Sequence, residues 1–394
     1  MISVEEAKEL VINNSFHLSS IEKNISECLN CVLSQDIVSP VSYPPFDQSA
    51  MDGFAVKYSD FQKSIPLEII GESAAGIPFA GGLQESQSVR IFTGAKLPVG
   101  TDTVVVQEKV SVESGKLIIQ DTSPEYGSNI RRKGSQIKTG DIVLRKGQVI
   151  NPGTIGLLAS LGIPEVSVFS TPRVTLIVTG NELIKPGNPL NDGQVYESNS
   201  YCVNAALESI NIRSVEIISV RDDEKQIKEK IKSAVENSDL VLATGGISVG
   251  KYDFVGKAFH ELGVKNIFYK IAQKPGKPLF FGKLNSCLLF GLPGNPAASL
   301  SCFYEYVLPA VRIMQGNQNI FLQKQMLPIV NGTPKKEGLS LFLKGKISNQ
   351  KVEILFGQES SNINSFSAAD CLIYLPAQKG NISAGELVEV HILP

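Results

Sequence analysis

The chain has 394 residues, more than one hydrophobic core ordinarily organises, so two to four domains are expected. Hydrophobic residues make up 42% and charged residues 19%, which excludes a disordered chain. A net charge of −2 gives no electrostatic drive toward nucleic acid or a membrane surface.

No apolar run approaches about 18 residues, and the acidic start Met1-Ile-Ser-Val-Glu-Glu lacks a signal-peptide pattern, so no membrane span is expected and the cytoplasm is the expected location. The six cysteines are scattered. Cys28 and Cys31 form a CxxC, but no second Cys or His pair stands near enough to complete a zinc site, and buried core filling is the simpler reading. The three histidines, His17, His260 and His391, have no acid and nucleophile nearby in sequence and give little support to a histidine-based triad.

Residues 3–35 read as two helices, because Ser3-x-x-Glu6 and Ser19-x-x-Glu22 both match the capping-box pattern. From residue 46 to about 145 short Val/Ile/Leu runs alternate with Gly and Pro, as expected of a separate β-rich domain. Asn151-Pro152-Gly153 then opens a short helix, followed by a Val/Phe strand. Residues 1–45 and 146–172 are therefore expected to form one discontinuous linking domain, with 46–145 inserted into it.

Between 173 and 325 strands alternate with helices, which predicts a doubly wound, mostly parallel sheet. Short strands in 326–394 predict a small β barrel or sandwich. The expected fold class is thus multidomain α/β plus β.

The central strand, Leu240–Ala243, breaks into Thr244-Gly245-Gly246, Ser248, Gly250 and Asp253. Backbone N–H groups there would face an anion at the carboxyl edge of the sheet. Neighbouring strands end in Thr179-Gly180-Asn181-Glu182, Arg221-Asp222-Asp223 and Gly291-Leu-Pro293-Gly294-Asn295-Pro296. Glu182, Asp222 and Asp253 together would bind a phosphate through a bridging divalent cation, since bare carboxylates repel it. Plainer readings exist: Asp222 or Asp223 fits the cap of the following helix, and Asp253 the cap of its own. Lys270, Lys274 and Lys277 lie on a stretch stiffened by Pro275 and Pro278, a fixed cationic site suited to a small oxyanion.

Several strings resemble one family in order and content. They are Pro45-Phe-Asp-Gln-Ser-Ala-Met-Asp52-Gly-Phe-Ala-Val56, Phe92-Thr93-Gly94-Ala95, Thr179-Gly-Asn-Glu182-Leu183, Thr244-Gly-Gly-Ile-Ser248-Val-Gly250-x-x-Asp253, Lys274-Pro-Gly-Lys277-Pro278 and Pro293-Gly-Asn-Pro296. The resemblance, over nearly the whole chain, is to the MoeA family, the molybdopterin molybdenumtransferases related to the gephyrin E domain.

It implies insertion of molybdate into adenylylated molybdopterin with Mg²⁺ present, releasing AMP and molybdenum cofactor. It also implies a homodimer whose cleft joins the molybdopterin-binding α/β domain of one subunit to the inserted β domain of the other. On that basis Asp52, Thr93, Glu182 and Asp253 are expected to be catalytic, and Asp222 with Asp253 to hold metal. Gly245, Gly246, Ser248, Gly250, Lys270, Lys274, Lys277, Pro278, Pro293, Gly294, Asn295, Pro296, Arg131 and Lys344 are expected to bind substrate. A pterin adenylyltransferase and molybdoenzyme-maturation proteins are the implied partners.

Four positions depart from the family pattern. Ser135-Gln136 follows the basic run Arg131-Arg132-Lys133-Gly134 where Glu-Asp is usual, Asn181 replaces an Asp, and Lys344 replaces an Arg. Two rival readings are a molybdopterin adenylyltransferase, which shares the Gly-Gly sheet edge, and a non-catalytic pterin carrier or scaffold, which Ser135-Gln136 and Lys344 would favour.

Overall fold

The strand Leu240–Thr244 is buried at every residue and lies inside a six-stranded sheet. Its order is Val215–Val220, Val174–Thr179, Leu240–Thr244, Cys287–Leu292, Phe280–Leu284, Lys265–Tyr269. The first four run parallel, and Phe280–Leu284 is antiparallel to both its neighbours, Cys287–Leu292 and Lys265–Tyr269. Leu176, Leu240 and Leu242 pack with Val203, Ala206 and Leu207 of the helix Asn199–Ser209 on one face. Ile177, Val241 and Ala243 pack with Ile227 and Ile231 of Glu224–Asn237 and with Phe259 of Phe254–Glu261 on the other. With both faces covered, the interior strands read as continuous apolar runs, as a doubly wound sheet requires.

This computed structural model describes residues 1–121, 125–247 and 253–394. The chain divides into one unit of residues 35–146 and 152–164, and a second of residues 1–34, 147–151 and 165–394. The first unit is built on a six-stranded sheet in the order Thr103–Val106, Gly53–Val56, Gln87–Ile91, Leu67–Ser73, Lys116–Ile119, Val110–Glu113, as the β texture predicts.

The second unit also holds the C-terminal strands. Ser340–Ser348, Cys371–Leu375, Leu387–Ile392 and Lys324–Pro328 pair in that order, and Lys351–Ile354 pairs with the first of them. The Val330 N–H donates to the Val352 carbonyl at 2.8 Å, which closes these strands into a small barrel. Among the described residues no helix is long and apolar enough to cross a membrane.

One N-terminal prediction is corrected. Val4–Asn14 is a helix, with the Ser3 hydroxyl accepting from the Glu6 N–H and Val4, Ala7 and Val11 buried along one stripe. The second expected helix is instead the strand Ser20–Asn24, paired antiparallel with Glu165–Phe169, and then a 3₁₀ turn, Ile25–Glu27. A local capping pattern lost to a pairing with residues about 140 positions away. Cys28 and Cys31 follow that turn as buried free thiols, and burial pushes both above the usual cysteine range.

Candidate active site

The carboxyl edge of the central sheet carries the polar load that the sequence predicts. Gly245 and Gly246 adopt φ of +83° and +58°, and a Cβ on Gly245 would lie 2.5 Å from the Thr179 carbonyl oxygen. Only glycine lets the strand end turn this tightly against its neighbour. The buried hydroxyls of Thr179 and Thr244, and Oδ1 of Asn199, have no hydrogen-bond partner among the described residues. Orphaned buried acceptors at a sheet edge fit a site that a polar ligand completes.

A cavity of about 840 Å³ opens beside this edge. Glu182 lines one side, the Lys274–Pro278 loop another, and Pro293–Pro296 a third. Lys274 and Lys277 are exposed whereas Pro275 and Gly276 are buried, so the lysines project from a backbone that is tucked in. The Asn199 Nδ2 donates to the Gly294 carbonyl at 2.8 Å and holds the Pro293–Pro296 turn against the helix Asn199–Ser209.

Ser360 and Ser361 also line it. The Asn295 Nδ2 donates to the Ser360 Oγ at 2.8 Å, and the Ala298 N–H to the Ser360 carbonyl at 3.1 Å. Sequence reasoning missed Asn199, Ser360 and Ser361; the polar run Gly357-Gln-Glu-Ser-Ser-Asn362 between two strands was the available signal.

The carboxylates sit at adjoining strand ends. Asp222 exchanges contacts with Asn181: its Oδ2 accepts from the Asn181 N–H at 3.3 Å, and its own N–H donates to the Asn181 Oδ1 at 3.2 Å. Burial, with the nearby Glu182 charge, raises the Asp222 carboxyl above its ordinary range. Asp253 Oδ1 accepts from the Gly256 N–H at 3.0 Å, so the helix-cap reading holds for it; burial raises its pKa against the opposing pull of Lys257 and Lys270. Asp223, not Asp222, caps the helix Glu224–Asn237, through the Gln226 N–H.

Among the described residues no group of three or more His, Cys, Asp or Glu is placed to hold a metal ion by itself. Asp222 and Asp253 nevertheless offer hard oxygen donors, and Asp222 Oδ1 and Asp253 Oδ2 have no hydrogen-bond partner among the described residues. Carboxylate oxygens of this kind suit Mg²⁺, which takes one or two carboxylates together with water and substrate phosphate.

Asp52, Thr93 and Arg131 lie in the other unit. There the Thr93 N–H and hydroxyl both donate to the Asp52 Oδ1 at 2.8 Å, and these two bonds, the backbone one first, lower the Asp52 pKa. Arg131 is exposed on a two-residue strand, Ile130–Arg131, paired with Gln48–Ser49.

Lys270 stands over the Tyr269 ring, 5.0 Å from its centroid, outside the cavity lining. Ser248 and Gly250 lie outside the described residues.

The expectation for Lys344 is corrected. Its side chain is buried, and its ammonium donates to the carbonyls of Gly357 at 2.9 Å, Asn362 at 3.1 Å and Glu359 at 3.3 Å. All three donors are spent inside the fold, so Lys344 braces the loop that carries Ser360 and has no donor left for an anion.

Three consecutive regions match family models: the MoeA N-terminal region (domain I and II) over residues 2–162, a probable molybdopterin binding domain over 175–313, and the MoeA C-terminal region (domain IV) over 330–393. A protein named molybdopterin molybdenumtransferase from Haemophilus influenzae is 37% identical, over 99% of this chain and 98% of its own. One of the same name from Staphylococcus aureus is 32% identical, over 99% and 95%. Two crystal structures of molybdopterin biosynthesis MoeA protein from Pyrococcus horikoshii superpose over this whole chain, with TM-scores of 0.85 and 0.84 at 30% and 27% identity, over 99% and 100% of their own chains.

Fold and site together define a multidomain protein of molybdenum-cofactor biosynthesis, with a molybdopterin-binding α/β domain at its centre. The chain belongs to the MoeA family.

Proposed function

We propose that this protein is a molybdopterin molybdenumtransferase: it transfers molybdate to adenylylated molybdopterin in a Mg²⁺-dependent step that releases AMP and molybdenum cofactor. The observation that carries the reading is the convergence of Glu182, the Lys274–Pro278 loop and the Pro293–Pro296 turn on one cavity of about 840 Å³. Two exposed ammonium groups on a fixed loop attract molybdate. The pterin lies against the Pro293–Pro296 side, where buried acceptors such as Asn199 Oδ1 meet its ring N–H groups.

Asp222 and Asp253 would hold the Mg²⁺, which when bound would supply charge neutralisation at the phosphate of the AMP moiety. Glu182 orients the attacking group at that phosphate. Asp52, kept ionised by Thr93, completes the cleft from the partner subunit of a homodimer, and Arg131 adds a cation there. The enzyme works in the cytoplasm and receives its substrate from a pterin adenylyltransferase.

The test is AMP release from adenylylated molybdopterin, with and without molybdate. Molybdate-stimulated release that Glu182→Ala abolishes supports the reading. Tight pterin binding with no release under any metal condition points instead to a carrier or scaffold, and consumption of ATP by the isolated protein to an adenylyltransferase.

A further inference from the structure

We infer that Gln273 and Tyr306 are positioning residues for the oxyanion-binding loop: together they turn its carbonyls inward so that Lys274 and Lys277 alone face the anion. The inference rests on the reading that Lys274–Pro278 takes molybdate.

Gln273 precedes the loop and is 1% exposed. Its side chain is fully engaged. Nε2 donates to the Pro275 carbonyl at 3.0 Å and the Gly276 carbonyl at 3.4 Å, while Oε1 accepts from the Tyr306 hydroxyl. Tyr306 is itself wholly buried, in the π-helical turn Phe303–Val307, and burial raises its phenol well above the usual range, so it stays a proton donor. The loop is closed behind these bonds: the Lys270 N–H donates to the Leu279 carbonyl at 3.1 Å, and the Ile271 N–H to the Lys277 carbonyl at 3.0 Å. Backbone and helix are in close contact, for a Cβ on Gly276 would lie 2.3 Å from the Cys302 Sγ and 2.9 Å from the Gln273 Nε2.

A carbonyl oxygen is the negative end of the peptide dipole. Two of them turned into the cavity would oppose the anion that two lysines attract. Gln273 draws the Pro275 and Gly276 carbonyls to the buried side, and Tyr306 fixes the amide so that its NH₂ group, not its oxygen, faces them. Without that anchor Gln273 is free to flip, and a buried carbonyl left without a donor re-orients toward water. The lysines keep their charge in either case; what changes is the field around them.

The test compares Gln273→Met, Tyr306→Phe and Lys274→Ala in molybdate-dependent AMP release, with the molybdate concentration varied at saturating adenylylated molybdopterin. Gln273→Met and Tyr306→Phe are expected to raise half-saturating molybdate about tenfold, with the maximal rate changed less than about twofold. Tungstate, inhibiting in competition, should weaken in parallel.

A purely structural role would lower the melting temperature and the amount of active enzyme but leave half-saturation where it was; that result in both variants overturns the inference. Tyr306→Phe, which removes one oxygen, keeps the test decisive if Gln273→Met fails to fold. If Lys274→Ala leaves half-saturation unchanged, the loop does not take molybdate, and the functional reading of the loop falls separately. A shift with Lys274→Ala but not with the other two removes only the positioning role.

Discussion

At the scale of single residues the site depends on which polar atoms are already spent. Lys344 and Lys274 are both lysines near the same cavity, yet Lys344 gives its three protons to Gly357, Glu359 and Asn362 while Lys274 stands exposed. Charge in a sequence does not say whether an ammonium is free, which is why the anion-binding role expected of Lys344 did not hold. The Arg-to-Lys departure there fits a compact three-carbonyl socket better than a planar fork would.

Asp52 illustrates the opposite case, a carboxylate held ionised by two donors from Thr93. Its folded pKa is depressed, so the ionised form persists to lower pH than in a free carboxylate. Thr93→Val removes the hydroxyl donor and leaves the N–H. The acid limb of the pH–rate profile should therefore move to higher pH, with the alkaline limb unchanged. An acid limb that does not move would show that Asp52 ionisation does not control the rate.

At the scale of elements, a helical stretch broken by a π turn serves both the core and the loop. Pro296–Cys302 runs through Phe303–Val307 into Leu308–Met314, and the extra residue of the π turn directs Glu305 and Tyr306 into buried contacts. Glu305 accepts from Lys8 of the N-terminal helix at 2.5 Å and lies 2.6 Å from the His391 Nδ1; the other ring nitrogen of His391 meets Glu389 at 2.8 Å.

Burial alone would raise Glu305, but Lys8 and His391 outweigh it and bring it down to about 2. A depressed carboxylate stabilises the fold fully above its unfolded pKa of about 4.3 and loses that contribution as pH falls toward the folded value. Wild type should accordingly lose melting temperature between about pH 4.5 and pH 2. Glu305→Gln, which leaves Lys8 and His391 without their carboxylate, should cost about 3 kcal/mol at neutral pH and show a flatter dependence in that window. Equal acid sensitivity in the two proteins would assign it to other carboxylates.

Elements also show what was legible beforehand. The parallel sheet and its polar edge could be read because Leu240–Thr244 and Val174–Thr179 carry their burial in their own composition. The strand Ser20–Asn24 could not, because its partner is Glu165–Phe169 and nothing local encodes that pairing. Lys274–Pro278 and Pro293–Pro296 announced themselves through proline, glycine and charge. Ser360 reaches the same cavity only because Lys344 and Asn295 hold its loop, and contacts between distant segments leave no spacing to read.

At the scale of the whole molecule, the residues proposed for catalysis fall in two units: Asp52 and Thr93 in one, Glu182, Asp222 and Asp253 in the other. The proposed completion of the cleft across a homodimer makes a genetic prediction. Asp52→Asn and Glu182→Ala should each be inactive alone, whereas mixed dimers would carry one cleft with both changes and one with neither. Co-expression or subunit exchange should restore activity, to about a quarter of the wild-type clefts after random reassortment. No recovery from verified mixed dimers would place the whole site within one subunit.

The central claim is insertion chemistry at the cavity lined by Glu182 and the two lysines. AMP release from adenylylated molybdopterin, measured with and without molybdate for wild type and Glu182→Ala, tests it most directly. Release that molybdate stimulates in wild type and that Glu182→Ala abolishes is the expected result. Bound pterin with no molybdate-dependent AMP from wild type under any metal condition would contradict it and leave a carrier in place of an enzyme.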